Sequence, residues 1–537
     1  MTQVQEFERQ TKSLIDDLKA VSANYGLGND GNEFKIITQV FLYKFLNDKF
    51  IYEVKKLDAE IADADNVDEA LRAYSADDYE MLMMQLGEST AQINPDQFIS
   101  SLFTQQNEPN FADLFDKTLI DIARDNSGIF SAVTNEGEKI ALFEDISNYV
   151  RKDRDGFCKA IINKLVGFSF ENIFDEKFDF YAGIFEYLIK DYNIDSGGKY
   201  AEYFTPHAVA KIMARCLVNG EVDNATCYDP SAGSGTLLMN LAHKIGEDKC
   251  TIYSQDISQK SSSLLRLNLI LNDLVHSIPN VVQGNTILEP YHKTENGNFH
   301  KFDYIVANPP FKLDFSDYRD QLENSDRFFA GVPNIPPKKK ESMAIYLLFM
   351  QHIIHSLSKI GKAAIVVPTG FITAQHGIEK KIRQKLVDEK ILSGVISMPS
   401  NIFATTGTNV SIIFIDKENK RDVVLIDASN LGKKVKEEKN EKTLLSDSDE
   451  KKIIDTFGTK EVVDDFSVVV SYNDIATKHY SLSAGQYFDV KIVYEDITQD
   501  EFSDKLEEYE NNLAKLFADS KKIEDEINNN FKDIKYE

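Results

Sequence analysis

The sequence predicts an α/β fold, a doubly wound and mostly parallel sheet set between a helical N-terminal region and a long C-terminal helix. Three observations predict it. Short β-rich runs that stop at a glycine turn, an acid or an Asn-Pro pair alternate with helical patterns through the middle of the chain. Residues 1–165 carry helical periodicity, as in Phe34, Ile37, Val40, Phe41, Tyr43 and Leu46, broken only by Pro95 and Pro109. The last residues repeat apolar side chains at alternating four- and three-residue steps.

Taken in order, residues 1–165 form a helical domain and residues 166–490 the sheet. The first strand is Ala225-Thr226-Cys227-Tyr228-Asp229, which runs into Pro230-Ser231-Ala232-Gly233-Ser234-Gly235-Thr236 and then the helical Leu237, Leu238, Leu241. A second strand, Thr251 to Asp256, ends in an acid. The strand Phe302-Asp303-Tyr304-Ile305-Val306-Ala307 delivers Asn308-Pro309-Pro310-Phe311. Asn409 to Asp416 reads as the last sheet strand, Lys433 to Lys442 as a solvated charged connector, and Tyr480-Ser481-Leu482 with Tyr487-Phe488 as a small ordered element. Residues 491–537 form a terminal helix whose seam is Phe502, Leu506, Tyr509, Leu513, Leu516, Ser520, Ile523, Ile527, Asn530 and Ile534. A seam that narrow cannot bury itself and requires another helix.

Composition narrows the function. At 537 residues the chain exceeds what one core organises, and a net charge of −27 opposes autonomous binding to nucleic acid. Lys338-Lys339-Lys340 and Lys380-Lys381, with Arg383 nearby, are basic islands read as solvated faces; the first follows Pro336-Pro337 and is also placed to touch a DNA backbone. Cys158, Cys216, Cys227 and Cys250 are scattered, encoding neither a disulfide framework nor a zinc site, and no metal is expected. With no signal peptide and no membrane-length apolar run, the expected location is cytoplasmic.

Two motifs carry chemistry. An amino group conjugated to a heteroaromatic ring is a poor nucleophile, so a catalyst must accept its hydrogens for the nitrogen to pyramidalise. The Asn308 side-chain carbonyl and the Pro309 backbone carbonyl are suitable acceptors. Pro309 and Pro310 stiffen the turn, and Phe311 offers a face for an extruded base. The glycine turn suits a ligand pressed against backbone at a helix N-terminus, yet it has neither dinucleotide nor phosphate-loop spacing. S-adenosyl-L-methionine fits it better, with Asp256 on the ribose hydroxyls.

Together, Asp229-Pro230-Ser231-Ala232-Gly233-Ser234-Gly235 and Asn308-Pro309-Pro310-Phe311 resemble the amino-group DNA methyltransferases, and more narrowly the modification subunit of type I restriction-modification systems. Glu202-Tyr203-Phe204-Thr205-Pro206 is similar to that family's cofactor-covering segment. Asp326-Arg327-Phe328, Val366-Val367-Pro368-Thr369-Gly370 and Phe403 to Asn409 also resemble family segments. The resemblance implies adenine-N6 methylation of duplex DNA with base flipping, catalytic residues Asn308, Pro309, Pro310 and Phe311, and a cofactor site that includes Glu202, Tyr203, Phe204, Thr205, Pro206, Asp229, Ser231, Gly233, Ser234, Gly235, Thr236, Asp256 and Asn308. Asn285 stands where the family carries Asp, and its carbonyl is expected to accept the cofactor's adenine amino group. Implied partners are a specificity subunit on the terminal helix, a second modification subunit, and a restriction subunit in the full complex; residues 1–165 contact partners and clamp DNA. Cytosine N4 suits the same motif, and a catalytically inactive scaffold of a defence complex is the reading from another class. A related Asn-Pro-Pro-Tyr loop methylates glutamine in proteins, which Phe311 and the long N-terminal domain argue against.

Overall fold

The computed structural model describes residues 3–28, 31–87, 89–171, 174, 181–188, 205–403, 409–419, 421–437, 440–488 and 498–532. It divides into two compact units, Met1–Tyr487 and Phe488–Glu537.

The first unit opens with helices α1 (Gln3–Asn24) and α2 (Gly31–Leu57), followed after several shorter helices by α3 (Phe111–Asp125) and α4 (Arg154–Val166). The helix expected around Phe34, Ile37, Val40, Phe41, Tyr43 and Leu46 is α2, and it is buried nearly all round, with Leu42, Lys44, Phe45, Asn47 and Asp48 buried as well. This region is not purely helical, however. Between α3 and α4 lie β1 (Ala132–Thr134) and β2 (Lys139–Ile140).

The sheet proper follows, with β3 (Ala225–Asp229), β4 (Cys250–Asp256), β5 (Val281–Gln283), β6 (Phe302–Ala307), β7 (Leu357–Pro368), β8 (Leu392–Ser397), β9 (Val410–Asp416) and β10 (Val423–Asp427). A separate antiparallel pair, β11 (Lys433–Glu437) with β12 (Asn440–Leu444), precedes β13 (Ser467–Val470). Eleven strands join in the order β13-β10-β8-β9-β7-β6-β3-β4-β5-β1-β2. The pairs from β7 through to β5 are parallel, as are β1–β5 and β8–β10, while β9 runs antiparallel between β7 and β8. The near-continuous apolar runs of β9 and β10 follow from burial on both faces.

Three expectations need correction. The N-terminal region contributes β1 to the sheet, Val133 pairing with Val282, because a three-residue strand is too short to show periodicity. Asn409–Asp416 is not the last strand, since β10 and β13 extend the sheet beyond it. The Lys433–Lys442 stretch is a hairpin rather than a loop; alternating Lys and Glu hid the strand pattern. The small element near Tyr480 is anchored where expected. Leu482 donates its backbone N–H to the Ile372 carbonyl at 2.9 Å, and Arg383 Nε donates to the Tyr480 carbonyl at 2.7 Å. Arg383 therefore belongs to the core, fully buried, rather than to the solvated face where Lys381 lies.

Helices complete the layers: α5 (His207–Leu217), α6 (Thr236–Ile245), α7 (Gln259–Leu271), α8 (Tyr346–Ser356), α9 (Gly377–Asp388) and α10 (Asp447–Thr459). From β3 the chain winds outward through α6, β4 and α7 to β5, then returns to β6 on the other side of β3. That reversal opens a crevice beyond the carboxyl ends of β3 and β6, where open α/β sheets bind ligands.

The second unit contains α11 (Gln499–Lys532), 34 residues and so about 51 Å long. Its Phe502, Leu506, Tyr509, Leu513, Leu516, Ile523 and Ile527 are exposed. Ile534 of the expected seam lies outside the described residues.

Candidate cofactor and methyl-transfer site

A cavity of about 120 Å³, open to solvent, occupies the crevice and is lined by Thr205, Asp229, Ser231, Gly233, Ser234, Thr236, Asp256, Asn285, Asn308 and Pro310 among others. Residues separated by more than a hundred positions in sequence thus meet in one place.

The glycine turn starts at the tip of β3. Asp229 Oδ1 accepts from the Ser231 N–H at 2.9 Å, which folds the chain back on itself. Gly233 and Gly235 have φ of 53° and 84°, left-handed values that favour glycine. At Gly235 a Cβ would also collide with the Leu265 side chain, so this glycine serves helix packing and does not line the cavity. Asp256, at the tip of β4, holds the turn from the other side. Its Oδ2 accepts from Gly233 N–H at 2.9 Å and its Oδ1 from Ser258 N–H at 2.9 Å.

Both carboxylates are buried, Asp229 at 1 % and Asp256 at 8 % exposure, and neither has an ion-pair partner among the described residues. Burial drives the Asp229 carboxyl up to about 8, against the Ser231 hydrogen bond and with the help of the neighbouring Asp256 charge. Burial also raises Asp256, opposed by the backbone N–H groups of Ser258 and Gly233. Two unpaired acids facing one cavity favour a ligand that carries positive charge. A sulfonium bearing an α-ammonium group meets that demand.

At the opposite wall β6 ends and Asn308 begins. Asn308 Nδ2 donates to Thr205 Oγ1 at 3.2 Å, and no partner holds its carbonyl oxygen among the described residues. Pro309 is buried and Phe311 half-buried, its ring 6.2 Å from that of Tyr346 at 73°. Neither Pro309 nor Phe311 is among the cavity-lining residues, and Pro206 caps α5 beside it. Glu202, Tyr203 and Phe204 lie outside the described residues.

Asn285 lines the cavity. Its Oδ1 accepts from the Ile287 and Leu288 backbone N–H groups, both at 3.1 Å, so that carbonyl is already committed to a local turn. Its amide faces Tyr318, which also lines the cavity. Sequence reasoning missed Tyr318, Ile257, Thr286, Ile287, Leu313 and Phe349. A signal existed for one of them: Ile257 follows Asp256 directly and is 59 % exposed, an apolar side chain presented at a strand tip.

No group of three or more potential metal ligands exists among the described residues. The four cysteines are free and buried, and none lines the cavity. Burial pushes the Cys158, Cys216 and Cys227 thiols up, which suits inert core groups.

A doubly wound sheet with this strand reversal, a glycine turn between two strand-tip acids and an Asn-Pro-Pro-Phe loop at the next strand end define a Rossmann-like, S-adenosylmethionine-dependent methyltransferase. The chain belongs to the N-6 DNA methylase family, whose sequence model matches residues 176–496. Among its relatives is the type I restriction enzyme MpnII methylase subunit of Mycoplasma pneumoniae, 28 % identical over 369 residues, an alignment covering 66 % of this chain and 66 % of that protein. The chain thus spans just under two thirds of that relative's length. The MjaVIII methylase subunit of Methanocaldococcus jannaschii is 25 % identical over 515 residues, covering 92 % of this chain and 82 % of that one. The crystal structure of a type I restriction-modification methyltransferase subunit from Streptococcus thermophilus superposes with a TM-score of 0.71 at 22 % identity, over 91 % of this chain and all of the other. That likeness establishes the fold.

Proposed function

We propose that this chain is the modification subunit of a type I restriction-modification complex and transfers a methyl group from S-adenosyl-L-methionine to the N6 amino group of adenine in duplex DNA. One observation carries the reading: Asn308 opens its free carbonyl at the same cavity that Asp229 and Asp256 line. Thr205 takes the amide end of Asn308, which leaves the carbonyl end for the incoming amino group. Asp256 keeps acceptor capacity beyond its two backbone bonds and takes the ribose hydroxyls; the glycine turn and the first turn of α6 face the methionine carboxylate. The bound cofactor supplies an electrophilic methyl group on sulfur.

The chain's own residues then activate the nucleophile. The Asn308 and Pro309 carbonyls accept the two amino hydrogens, localising the nitrogen lone pair in line with the methyl carbon. Phe311, steadied by Tyr346, stacks on the flipped base. No covalent bond to the base is needed, consistent with the absence of a cysteine from the cavity lining.

In this reading residues 1–165 contact partners and clamp DNA, 166–490 catalyse, and 491–537 dock on a specificity subunit that reads the sequence. The relatives' status as type I methylase subunits supports a second modification subunit and, in the full complex, a restriction subunit. The setting is the cytoplasm, in keeping with the lack of any helix long and apolar enough to cross a membrane among the described residues. Co-purification of the partner and modified-base sequencing of the host genome test the proposal. N6-methyladenine at one recurrent motif, lost in Asn308→Ala, supports it. N4-methylcytosine moves the target to the other base, and no partner with no modified motif points to an inactive scaffold.

A further inference from the structure

Behind the wall formed by Thr286 and Ile287 sits a buried arginine. Arg327 is 3 % exposed and has no carboxylate in ion-pair contact among the described residues. A desolvated guanidinium is costly unless its donors are satisfied, so its replacement partners matter. They are specific. Arg327 donates to the Thr286 carbonyl at 3.2 Å and the Ile287 carbonyl at 2.6 Å, both residues that line the cavity. Its Nε donates to Ser325 Oγ at 3.2 Å, its Nη1 also meets His352 Nδ1 at 3.2 Å on α8, and the Phe328 ring lies 4.8 Å from the guanidinium carbon.

Because Arg327 can only donate, His352 Nδ1 must accept, so the ring is neutral with its proton on Nε2, facing the Tyr228 hydroxyl at 3.3 Å. Burial, aided by the Arg327 charge, holds His352 well below its ordinary value. Gln351, next on the same helix, accepts from Ala330 N–H at 2.7 Å and donates to the Gly331 carbonyl at 3.0 Å, fixing the segment that carries Arg327. On the cavity side, Thr286 Oγ1 donates to the Pro230 carbonyl at 2.7 Å. The wall is therefore tied to the glycine turn at one end and to α8 at the other.

We propose that Arg327 is a positioning residue for the cofactor: seated on His352, it clamps the Thr286 and Ile287 carbonyls and so fixes the wall against which the cofactor's adenosine half binds. This rests on the cofactor reading above. Arg327 touches neither methyl group nor base, so its loss acts on affinity and leaves the chemical step.

The test is calorimetry of the full-length protein with S-adenosylmethionine and with methylthioadenosine, which lacks the amino-acid end, together with methyl transfer by the complex at saturating cofactor. Arg327→Met is expected to weaken both ligands by about ten- to hundredfold while the maximal rate stays within about threefold. Arg327→Lys, which keeps the charge, is expected to fall between. The histidine supplies a finer comparison: His352→Asn places an oxygen near Nδ1 and retains affinity, whereas His352→Gln does not and loses several-fold. Unchanged ligand affinity in Arg327→Lys and Arg327→Met overturns the clamp. So does a fall in maximal rate with affinity intact, or equal behaviour of the Asn and Gln variants. Should Arg327→Met fail to fold, the Lys variant and the histidine pair decide. Wild-type protein that binds neither ligand overturns the cofactor reading itself, and the clamp with it.

Discussion

The two ends of the cavity are built differently. At the end proposed to hold the cofactor the polar groups are already engaged by backbone: Asp256 by Gly233 and Ser258, Asp229 by Ser231, Asn285 by Ile287 and Leu288. At the acceptor end Asn308 has one side-chain partner, Thr205, and an open carbonyl. A site that holds the same cofactor in every cycle gains from a rigid frame, whereas a site that admits and releases a base must keep hydrogen-bonding capacity unoccupied until the base arrives.

That contrast is sharpened by removing each part in turn. The largest effect is expected from the terminal helix. Deleting residues 501–537 removes the exposed seam of α11, so sequence-specific methylation and co-purification with the specificity subunit are lost while cofactor binding persists; a pull-down with both subunits co-expressed, plus calorimetry, checks this. At the acceptor end, Asn308→Ala should lower methyl transfer on the order of 10²–10³-fold with cofactor affinity nearly intact, measured with tritiated cofactor. At the cofactor end, Asp256→Ala should weaken S-adenosylmethionine by about 1–3 kcal/mol in calorimetry, since it leaves ribose hydroxyls unpaired and frees the Gly233 N–H.

The smallest effect is a pH dependence. With Asp229 raised to about 8, the free site is mostly protonated below that pH, and a cationic ligand must expel the proton to bind beside a carboxylate. Affinity should therefore fall as pH drops from 8 towards 6, by at most about tenfold per unit. Asp229→Asn should flatten the profile. An unchanged slope in that variant would assign the dependence to another group.

How much of this was legible beforehand follows from the range of the interactions. The glycine turn, the two strand-tip acids and the Asn308 loop each lie within a few consecutive residues, so local pattern exposed them, together with the strands that carry them. Asn285 was found, but the bonds its carbonyl accepts from Ile287 and Leu288 were not foreseen, because they depend on a turn that composition does not encode. Tyr318, Leu313 and Phe349 were missed because tertiary packing of the segment after the catalytic loop brings them to the cavity. Arg383 looked like part of a basic surface; the carbonyls of Phe371 and Ala374, and that of Tyr480 folded over it from a distant position, make it a core residue. The strands β1 and β13 are held by the sheet they extend more than by their own three or four residues.

The division of the cavity into a holding end and a reacting end is tested most directly by one titration: the rate of methyl transfer by the intact complex as a function of S-adenosylmethionine concentration, for wild type, Asp256→Ala and Asn308→Ala. Asp256→Ala is expected to recover to within about threefold of the wild-type rate once cofactor saturates, because it lost only affinity, and Asn308→Ala to reach its plateau at the wild-type concentration with a rate still about 10²–10³-fold lower. Recovery of Asn308→Ala at high cofactor, or a plateau for Asp256→Ala as low as that of Asn308→Ala, would contradict it.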